Sequence, residues 1–246
     1  MRLLLQLGES RGPMMLRDLA GAARMPPAKA HRYLVSLARA GFVEQSSDTG
    51  LYDLGQEAVT LGLSALGRLE PLKAAAPYLD ELHDEIKLTV AVAVWANRGA
   101  TIVSWIGSDA PVAATLRIGS VMSLTRSATG RSFLAFMPTG RTRELLRKEL
   151  VENIHLSLNP KSSKDIDAIV KETRARGFAR ASEFIPGIVG CAWPVFDRDA
   201  QMSLAIVTLG YAGSVDLSDT SFVIKHMRIA ARALSKRLGH SGDSGP

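Results

Sequence analysis

The chain has 246 residues, of which 46% are hydrophobic and 22% are charged. This balance supplies enough apolar side chains for two compact domains and excludes an intrinsically disordered chain. The formal net charge of +6 suits an acidic partner such as DNA, but so small a basic excess does not decide function.

Residues 1–54 are predicted to form a winged helix-turn-helix, a small module that reads DNA. Two short amphipathic helices come first, and Pro26 and Pro27 then interrupt the helical pattern because proline lacks the amide hydrogen. The first of these helices begins at the initial methionine and looks clipped. A true start codon further upstream therefore remains an alternative. A third helix covers residues 28–40, and residues 42–54 are typical of a two-stranded wing. The third helix can lie in the major groove of DNA, which is wide enough to admit it.

Basic side chains on the outer face of this third helix are the candidate DNA contacts. Lys29 and Arg32 lie three residues apart, on neighbouring ridges, and can reach phosphate oxygens or base edges. His31 offers one donor and one acceptor when neutral, and Arg17 in the preceding helix can reach backbone phosphate. A solvated basic face without DNA contacts is the alternative for each of them. Tyr33 is expected to face the core.

Residues 55–70 are predicted to form a linker helix between two domains. Val59, Leu63 and Leu66 recur at the helical period, which predicts one buried apolar stripe. Pro71 marks the break that follows, because proline disfavours helix in the residue before it.

Residues 71–240 are predicted to form a second domain in which strands and helices interleave as short hairpins. The predicted helices cover residues 72–87, 127–137, 142–151 and 165–176, with a last helix capped at 217–219 and ending near 238; the predicted strands cover 88–95, 101–106, 112–116, 121–124, 178–183, 189–196 and 201–210. This pattern favours an α+β domain, with an antiparallel sheet flanked by helices, over a doubly wound parallel sheet. Residues 241–246 form a polar tail that is expected to be loose.

Small residues open one of the predicted helices, at Ser127-Ala128-Thr129-Gly130. Such a helix start leaves backbone N–H groups pointing outward, where they can bind a carboxylate or another anion. The hydroxyl of Ser127 or Thr129 is expected either to donate to a ligand or to cap the helix, and the capping role alone remains an alternative.

Five segments of the chain, in order, resemble the IclR family of bacterial transcription regulators. Residues 25–34 resemble the family's recognition helix, 52–55 its junction of wing and linker, 88–92 the first strand of its effector domain, and 127–135 its small-residue turn and following helix; residues 177–179, 183, 186–187 and 192–197 resemble its closing signature. The resemblance covers nearly the whole chain. It implies an N-terminal winged helix-turn-helix joined by a linker helix to a GAF-like effector domain.

The resemblance also implies partners and site residues. The partners are double-stranded DNA with a near-palindromic operator, a small organic effector, and further copies of the chain in a homodimer or homotetramer. Carried over by position, the family's recognition helix adds Pro27 and Ala28 to the DNA contacts. Carried over in the same way, its effector pocket is lined by Ala128, Thr129, Ile188, Gly190, Val207 and Leu209, and Gly130 joins them through its place at the helix start.

The nature of the effector is predicted from these pocket residues. Most of them are apolar, which favours a ligand with a sizeable apolar body, such as an aromatic acid. Its charged end is expected near residues 128–130, and Arg126 or Arg180 could supply a counter-charge. A surface role for both arginines is the alternative.

No constellation in the chain predicts catalysis, and we expect no cofactor and no bound metal. Cys191 is the single cysteine, which excludes an internal disulfide, and its apolar surroundings are typical of an inert thiol. The histidines are scattered, and nucleophile-elbow, Walker and dinucleotide patterns are absent. The alternatives left open are a winged-helix module for protein or RNA contacts and a GAF-like enzyme. No apolar run is long enough to cross a bilayer, so a cytoplasmic protein is expected.

Overall fold

The computed structural model describes residues 1–10, 12–67, 70–107, 116–152, 162–182 and 184–241. The chain divides into two compact units, Met1–Leu69 and Glu70–Pro246. The strand predicted over residues 112–116 lies almost wholly outside the described residues, and so does most of the predicted tail.

The first unit is a winged helix-turn-helix, as predicted. Its elements are α1 (Arg2–Glu9), α2 (Leu16–Ala22), α3 (Pro27–Arg39), β1 (Val43–Gln45), β2 (Tyr52–Leu54) and α4 (Gln56–Gly67). Strands β1 and β2 pair antiparallel, with Val43 opposite Leu54. Leu19 and Leu34 are fully buried between the helices and the wing. Pro27 is the first residue of α3, a position where its missing N–H costs nothing.

Two predictions about this unit are wrong. Tyr33 is 50% exposed, because Ala30 and Leu34 already fill the inner face of α3 and Tyr33 lies one residue away from that stripe. Val59 and Leu63 in α4 are also exposed, Leu63 by 64%, so the stripe predicted to be buried is open to solvent in the single chain. The side chain of Leu66 is not among those that the structure describes.

The second unit is built on a five-stranded antiparallel sheet. Its elements are α5 (Glu70–Ile86), β3 (Thr89–Ala96), β4 (Gly99–Ile106), α6 (Ala128–Phe136), α7 (Thr139–Glu152), α8 (Ser163–Arg176), β5 (Ala179–Ala181), β6 (Ile188–Phe196), β7 (Met202–Tyr211) and α9 (Phe222–Arg237). The strand order is β4-β3-β7-β6-β5, and each neighbouring pair is antiparallel. The predicted antiparallel sheet with flanking helices is confirmed.

The two faces of this sheet differ in side-chain size, because successive residues of a strand point to opposite faces. On one face, large side chains such as Val92, Leu204 and Ile206 pack against α5 and α9. The opposite face, toward α6, carries small residues, among them Ala91, Ala93, Ala192 and Ala205. Four alanines in the middle of a sheet leave space beside them.

Helix α8 shows why some boundaries were predictable. Ser162 and Asp165 form a reciprocal capping box: Ser162 Oγ accepts from Asp165 N at 3.3 Å, and Asp165 Oδ2 accepts from Ser162 N at 2.9 Å. Gly177 ends the helix with a left-handed φ of 78°, which glycine adopts without strain. Both signals are local in the sequence.

Other boundaries differ from their predictions. Residues 121–124 form no strand, and only Val121 makes a bridge, to Thr101. The last helix is capped by Ser221, which accepts from Ile224 N at 3.3 Å, because Ser218 instead donates to Asp216 in the preceding turn. Helix α7 begins three residues before the predicted position, and β5 covers only part of the predicted strand.

Candidate nucleic-acid interface and effector cavity

The outer face of α3 is fixed by what α3 buries. Ala30 and Leu34 are fully buried, and Arg32, two residues from each, therefore points to the opposite side. Lys29 and Tyr33, four residues apart, share one exposed flank of the helix. Tyr33 was missed as a candidate contact; the signal for it was that Ala30, Leu34 and Leu37, at helical spacing, already form the inner stripe.

All six predicted DNA-contact residues are exposed: Arg17, Pro27, Ala28, Lys29, His31 and Arg32. The side chain of Arg17 is 89% exposed and lies 3.4 Å from Asp18 Oδ1. An exposed ion pair of this kind is weak, so it leaves the guanidinium able to reach a phosphate. All six side chains are accessible, and three of them, Arg17, Lys29 and Arg32, are positively charged.

The wing tip carries no basic side chain. Residues 46–50 form a tight turn in which Gly50 N donates to Ser46 O at 2.8 Å and Gln45 Nε2 donates to Gly50 O at 2.9 Å. The charged side chain in this turn is Asp48. The wing tip therefore contributes no positive charge to the surface of this unit.

A cavity lies between α6 and the small-residue face of the sheet, with about 420 Å³ of empty space including its open mouth. Of the predicted effector residues, Ala128, Thr129, Ile188, Gly190, Val207 and Leu209 line it. Sequence reasoning missed other apolar lining residues: Ile102, Leu116, Met122, Ala181, Phe184 and Ile185.

Hydrogen-bond donors without partners lie at one end of the cavity. Ser127 caps α6, and its Oγ accepts from Gly130 N at 2.9 Å. The N–H groups of Ala128 and Thr129, in the first turn of the helix, have no acceptor among the described residues. The hydroxyl of Thr129 also bonds to none of them, although Thr129 is almost fully buried.

Gly130 has a different position from the one predicted. It is not among the described residues that line the cavity. A Cβ at Gly130 would lie 2.0 Å from Ser123 O and 2.5 Å from Leu124 Cα. Gly130 therefore permits the close approach of α6 to the segment that precedes it.

Glu149 of α7 holds that preceding segment in place. Its Oε1 accepts from Ser123 Oγ, Thr125 N and Thr125 Oγ1 at 2.7, 3.0 and 2.7 Å. Its Oε2 accepts from Leu124 N at 2.7 Å. These four charge-assisted bonds join residues about 25 positions apart and fix the approach to α6.

The two arginines considered as counter-charges do not line the cavity within the described part of the chain. Arg180 Nη1 donates to Leu217 O at 2.9 Å and lies 3.5 Å from Asp219 Oδ1. Arg131 ties α6 to its surroundings: its Nε donates to Thr125 O at 2.7 Å and its Nη1 to Arg180 O at 2.9 Å. Arg180 is thus held in a structural role.

The remaining candidates for catalysis or metal binding are the cysteine thiol and the histidine and acidic side chains. Burial raises the pKa of the Cys191 thiol to about 12, despite a hydrogen bond to the Thr208 backbone and the charge of Arg180. Among the described residues, no group of three histidine, cysteine or acidic side chains is placed to hold a metal ion. Within the same part of the chain, no helix is long and apolar enough to cross a membrane.

Profiles of known families match both parts of the chain. The profile described as "Bacterial transcriptional regulator IclR C-terminal" matches residues 63–236. The profile described as "IclR helix-turn-helix domain" matches residues 1–47. Together they cover the first three helices and the first wing strand of one unit, and most of the unit that holds the cavity.

Individual proteins are similar over almost the full length. The Glycerol operon regulatory protein of Streptomyces coelicolor is 28% identical over 242 residues, which are 96% of this chain and 92% of that protein. The crystal structure of Pseudomonas aeruginosa HmgR is 33% identical, with a TM-score of 0.64 over 98% of this chain and 96% of that chain. An IclR homolog from Microbacterium hydrocarbonoxydans, complexed with 4-hydroxybenzoate, has the same fold, with a TM-score of 0.78 at 18% identity over 96% of this chain and 98% of that chain.

Proposed function

The chain belongs to the IclR family of bacterial transcriptional regulators, and on that premise we propose the chemistry of its effector and the side chains that read its operator. It is a DNA-binding regulator that responds to a small molecule. We propose that this molecule is an aromatic carboxylate. The observation that carries the proposal is the cavity, which combines apolar walls with unpaired donors at one end.

The walls of the cavity favour a flat apolar body. Phe184, Ile185 and Leu209 offer carbon surface, and Gly190 has no side chain to occupy the space. No arginine or lysine is among the described lining residues, so the charge of the ligand has to be stabilised by other groups. The 4-hydroxybenzoate bound to the Microbacterium homolog supports this class of ligand.

The N-terminus of α6 is the proposed seat of the carboxylate. The N–H groups of Ala128 and Thr129, which have no acceptor in the described part of the chain, point out of the helix, and the helix dipole favours negative charge there. The hydroxyl of Thr129 adds a third donor. Three donors in an apolar cavity can hold a carboxylate without a cationic side chain, because hydrogen bonds to an ionised acceptor are strong.

Calorimetric titration with 4-hydroxybenzoate, benzoate and 4-hydroxybenzamide tests the proposed ligand class. We expect the acids to bind at least about tenfold more tightly than the amide, which lacks the charge. Thr129→Val, which keeps the shape but removes the donor, should weaken binding of the acids by about five- to tenfold. Thr60→Val in α4 serves as the matched control and should leave binding unchanged. No binding of any aromatic acid, or equal binding of acid and amide, would contradict the proposed class.

For the operator, we propose that α3 enters the major groove with Lys29 and Arg32 at the DNA surface. Their exposure opposite the buried Ala30 and Leu34 supports this orientation. Two copies related by a two-fold axis present two such helices, so the operator is a near-palindrome. Gel-shift titration of the DNA upstream of the protein's own gene, with and without 4-hydroxybenzoate, tests both the proposed DNA binding and its response to the effector. An affinity for that DNA no higher than for unrelated DNA would count against this operator.

We also propose that the second unit binds its ligand without transforming it. Ser127, a hydroxyl that lines the cavity, is occupied as a helix cap, and the only cysteine has a raised pKa. A regulator that binds the chromosome acts where the chromosome is, which supports a cytoplasmic location.

A further inference from the structure

A second and larger groove lies in the same unit as the effector cavity. It runs between the end of α8 and one side of α9, beside the part of β6 that extends beyond β5, and encloses about 2150 Å³ with open solvent included. The effector cavity holds about 420 Å³ by the same measure. Within the described part of the chain the two have no lining residue in common, so the groove is separate from the effector cavity.

Aromatic side chains form the inner surface of the groove. Phe178 and Trp193 are stacked, with ring centroids 4.7 Å apart and planes 7° from parallel. Phe136 and Phe196 meet edge to face, with centroids 5.8 Å apart. Trp193 is only 9% exposed, and its indole N–H donates to no acceptor among the described residues. The inner surface therefore offers a ligand flat apolar area and one hydrogen-bond donor.

The exposed rim of the groove on α9 is basic. Arg228, Arg232 and Lys236 are spaced by four residues, so they follow one side of the helix over a rise of about 12 Å. No described residue forms an ion pair or a hydrogen bond with these three side chains. Lys225 and Arg237, the other exposed cations of α9, are not among the described lining residues. The positive charge of the groove is therefore concentrated along this one side of α9.

The opposite rim, at the end of α8, has paired charges. Arg176 pairs with Glu172 of the same helix and lies 3.6 Å from Asp219 Oδ1, which belongs to the only carboxylate among the described lining residues. His240, which also lines the groove, has its Nδ1 3.1 Å from Asp197 O. An anionic ligand is therefore attracted to the α9 side, where the cations have no partner.

The groove does not favour a peptide that adds a strand to the sheet. Along β6, beyond its pairing with β5, Pro194 has no N–H to donate. The N–H of Phe196 already donates to Ser235 Oγ at 3.1 Å. Recognition in the groove therefore depends on side chains, as it does for a small molecule.

We propose that the groove binds a second small molecule, an aromatic ring that carries two or more phosphates, as a nucleoside triphosphate does. The phosphates lie along Arg228, Arg232 and Lys236, and the ring lies on the inner surface, where it accepts a hydrogen bond from Trp193. A monocarboxylate such as the proposed effector would leave two of the three cations unpaired. Inorganic phosphate would leave the aromatic inner surface uncovered.

Calorimetric titration of the full-length protein with ATP, adenosine and inorganic triphosphate, without divalent metal, tests the proposal. We expect ATP to bind at least about tenfold more tightly than either fragment, because each fragment contacts only one part of the groove. Equal affinity for ATP and inorganic triphosphate would mean that the surface attracts charge alone. That result, or no binding of ATP, overturns the proposal.

A matched pair of double variants on α9 locates the binding site. Arg232→Ala with Lys236→Ala should weaken ATP binding by about five- to tenfold, because two phosphate contacts are lost. Lys225→Ala with Arg237→Ala removes the same two charges from the same helix, outside the groove, and should leave ATP affinity unchanged. Equal weakening in the two variants would be an effect of net charge and would overturn the assignment to the groove.

A change on the inner surface provides a readout that net charge does not move. Trp193→Phe keeps a flat ring but removes the indole N–H, and it should weaken ATP binding by about three- to fivefold. ATP should quench the tryptophan fluorescence of the wild type and of the control Trp95→Phe, on β3, but not that of Trp193→Phe. Quenching that persists in Trp193→Phe contradicts the proposal.

The same variants separate the groove from the effector cavity. Affinity for 4-hydroxybenzoate should be unchanged in Arg232→Ala with Lys236→Ala, because the groove and the cavity share no described lining residue. A failure to bind ATP therefore leaves the proposed effector and operator untouched. A loss of 4-hydroxybenzoate binding in this variant would contradict the separation of the two sites.

Discussion

The two faces of the five-stranded sheet are made by the same strands but have opposite packing. Leu204 and Ile206 of β7 lie in a closed core with α5 and α9, whereas Val207 and Leu209 of the same strand line a cavity beside α6. The difference comes from the alanines opposite α6, which are too small to fill the layer. Stability is concentrated on one face, and the capacity to bind a ligand arises where packing is incomplete.

The largest effect is expected from a matched pair of leucines on β7. Leu204→Ala removes a fully buried side chain and should lower the free energy of unfolding by about 3–5 kcal/mol. Leu209→Ala only enlarges an existing cavity. It should lower the free energy of unfolding by less than about half of the loss expected for Leu204→Ala. Urea denaturation measures both. Similar losses in the two variants would mean that the cavity face is as tightly packed as the core.

The next effect tests the close approach of α6. Gly130→Ala places a Cβ against the backbone of Ser123 and Leu124 and should destabilise the protein by about 1–3 kcal/mol, with loss of effector binding. Gly140→Ala on α7 meets nothing within 4 Å and should be neutral or slightly stabilising. Thermal unfolding measures the difference. If Gly130→Ala were as harmless as its control, the contact with Ser123 would be unimportant.

A smaller effect is expected at the carboxylate that fixes the segment before α6. Glu149→Gln keeps the shape but replaces one acceptor by an NH₂ group facing a donor, and it should cost about 1–2 kcal/mol. Because the segment leads to Ala128 and Thr129, affinity for 4-hydroxybenzoate should fall more than stability alone predicts. Glu144→Gln, exposed on the same helix, is the control. Ligand affinity that stays at the wild-type level in Glu149→Gln would limit this residue to a role in stability.

The smallest effect on stability is expected outside the sheet, at the surface of α3. Arg32→Ala should leave the free energy of unfolding unchanged but weaken binding to all DNA sequences. The slope of log affinity against log salt concentration should fall by about one unit, because one phosphate contact is lost. Arg143→Ala, exposed on α7, is the control. Titrations at several salt concentrations measure the slope. An unchanged slope and affinity would remove Arg32 from the DNA contacts.

Local signals predicted much of the fold. The capping box at Ser162, the left-handed Gly177 and the break at Pro26 act within a few residues, so helix ends near them were predicted within a residue or two. The last helix was misplaced because Ser218 and Ser221 are equally good caps, and only the hydrogen bond of Ser218 to Asp216 decides between them.

The candidate site was predicted in part. All six residues that the family resemblance implied for the effector pocket line the cavity, since they lie on β6, β7 and the start of α6. Met122, Phe184 and Ile185 were missed because they lie outside helices and strands, where no periodicity marks an inward side chain. Glu149 was missed because its partners lie about 25 residues away in sequence.

The sequence alone determined the fold class, because helix period, strand alternation and cap residues act over short distances along the chain. It also determined that α3 presents basic side chains, since Ala30 and Leu34 mark the inner face. Tertiary structure decided which polar groups are left without partners and which charges face solvent. Those properties depend on contacts between distant segments, such as Glu149 with residues 123–125 and α5 with α9, and no local pattern encodes them.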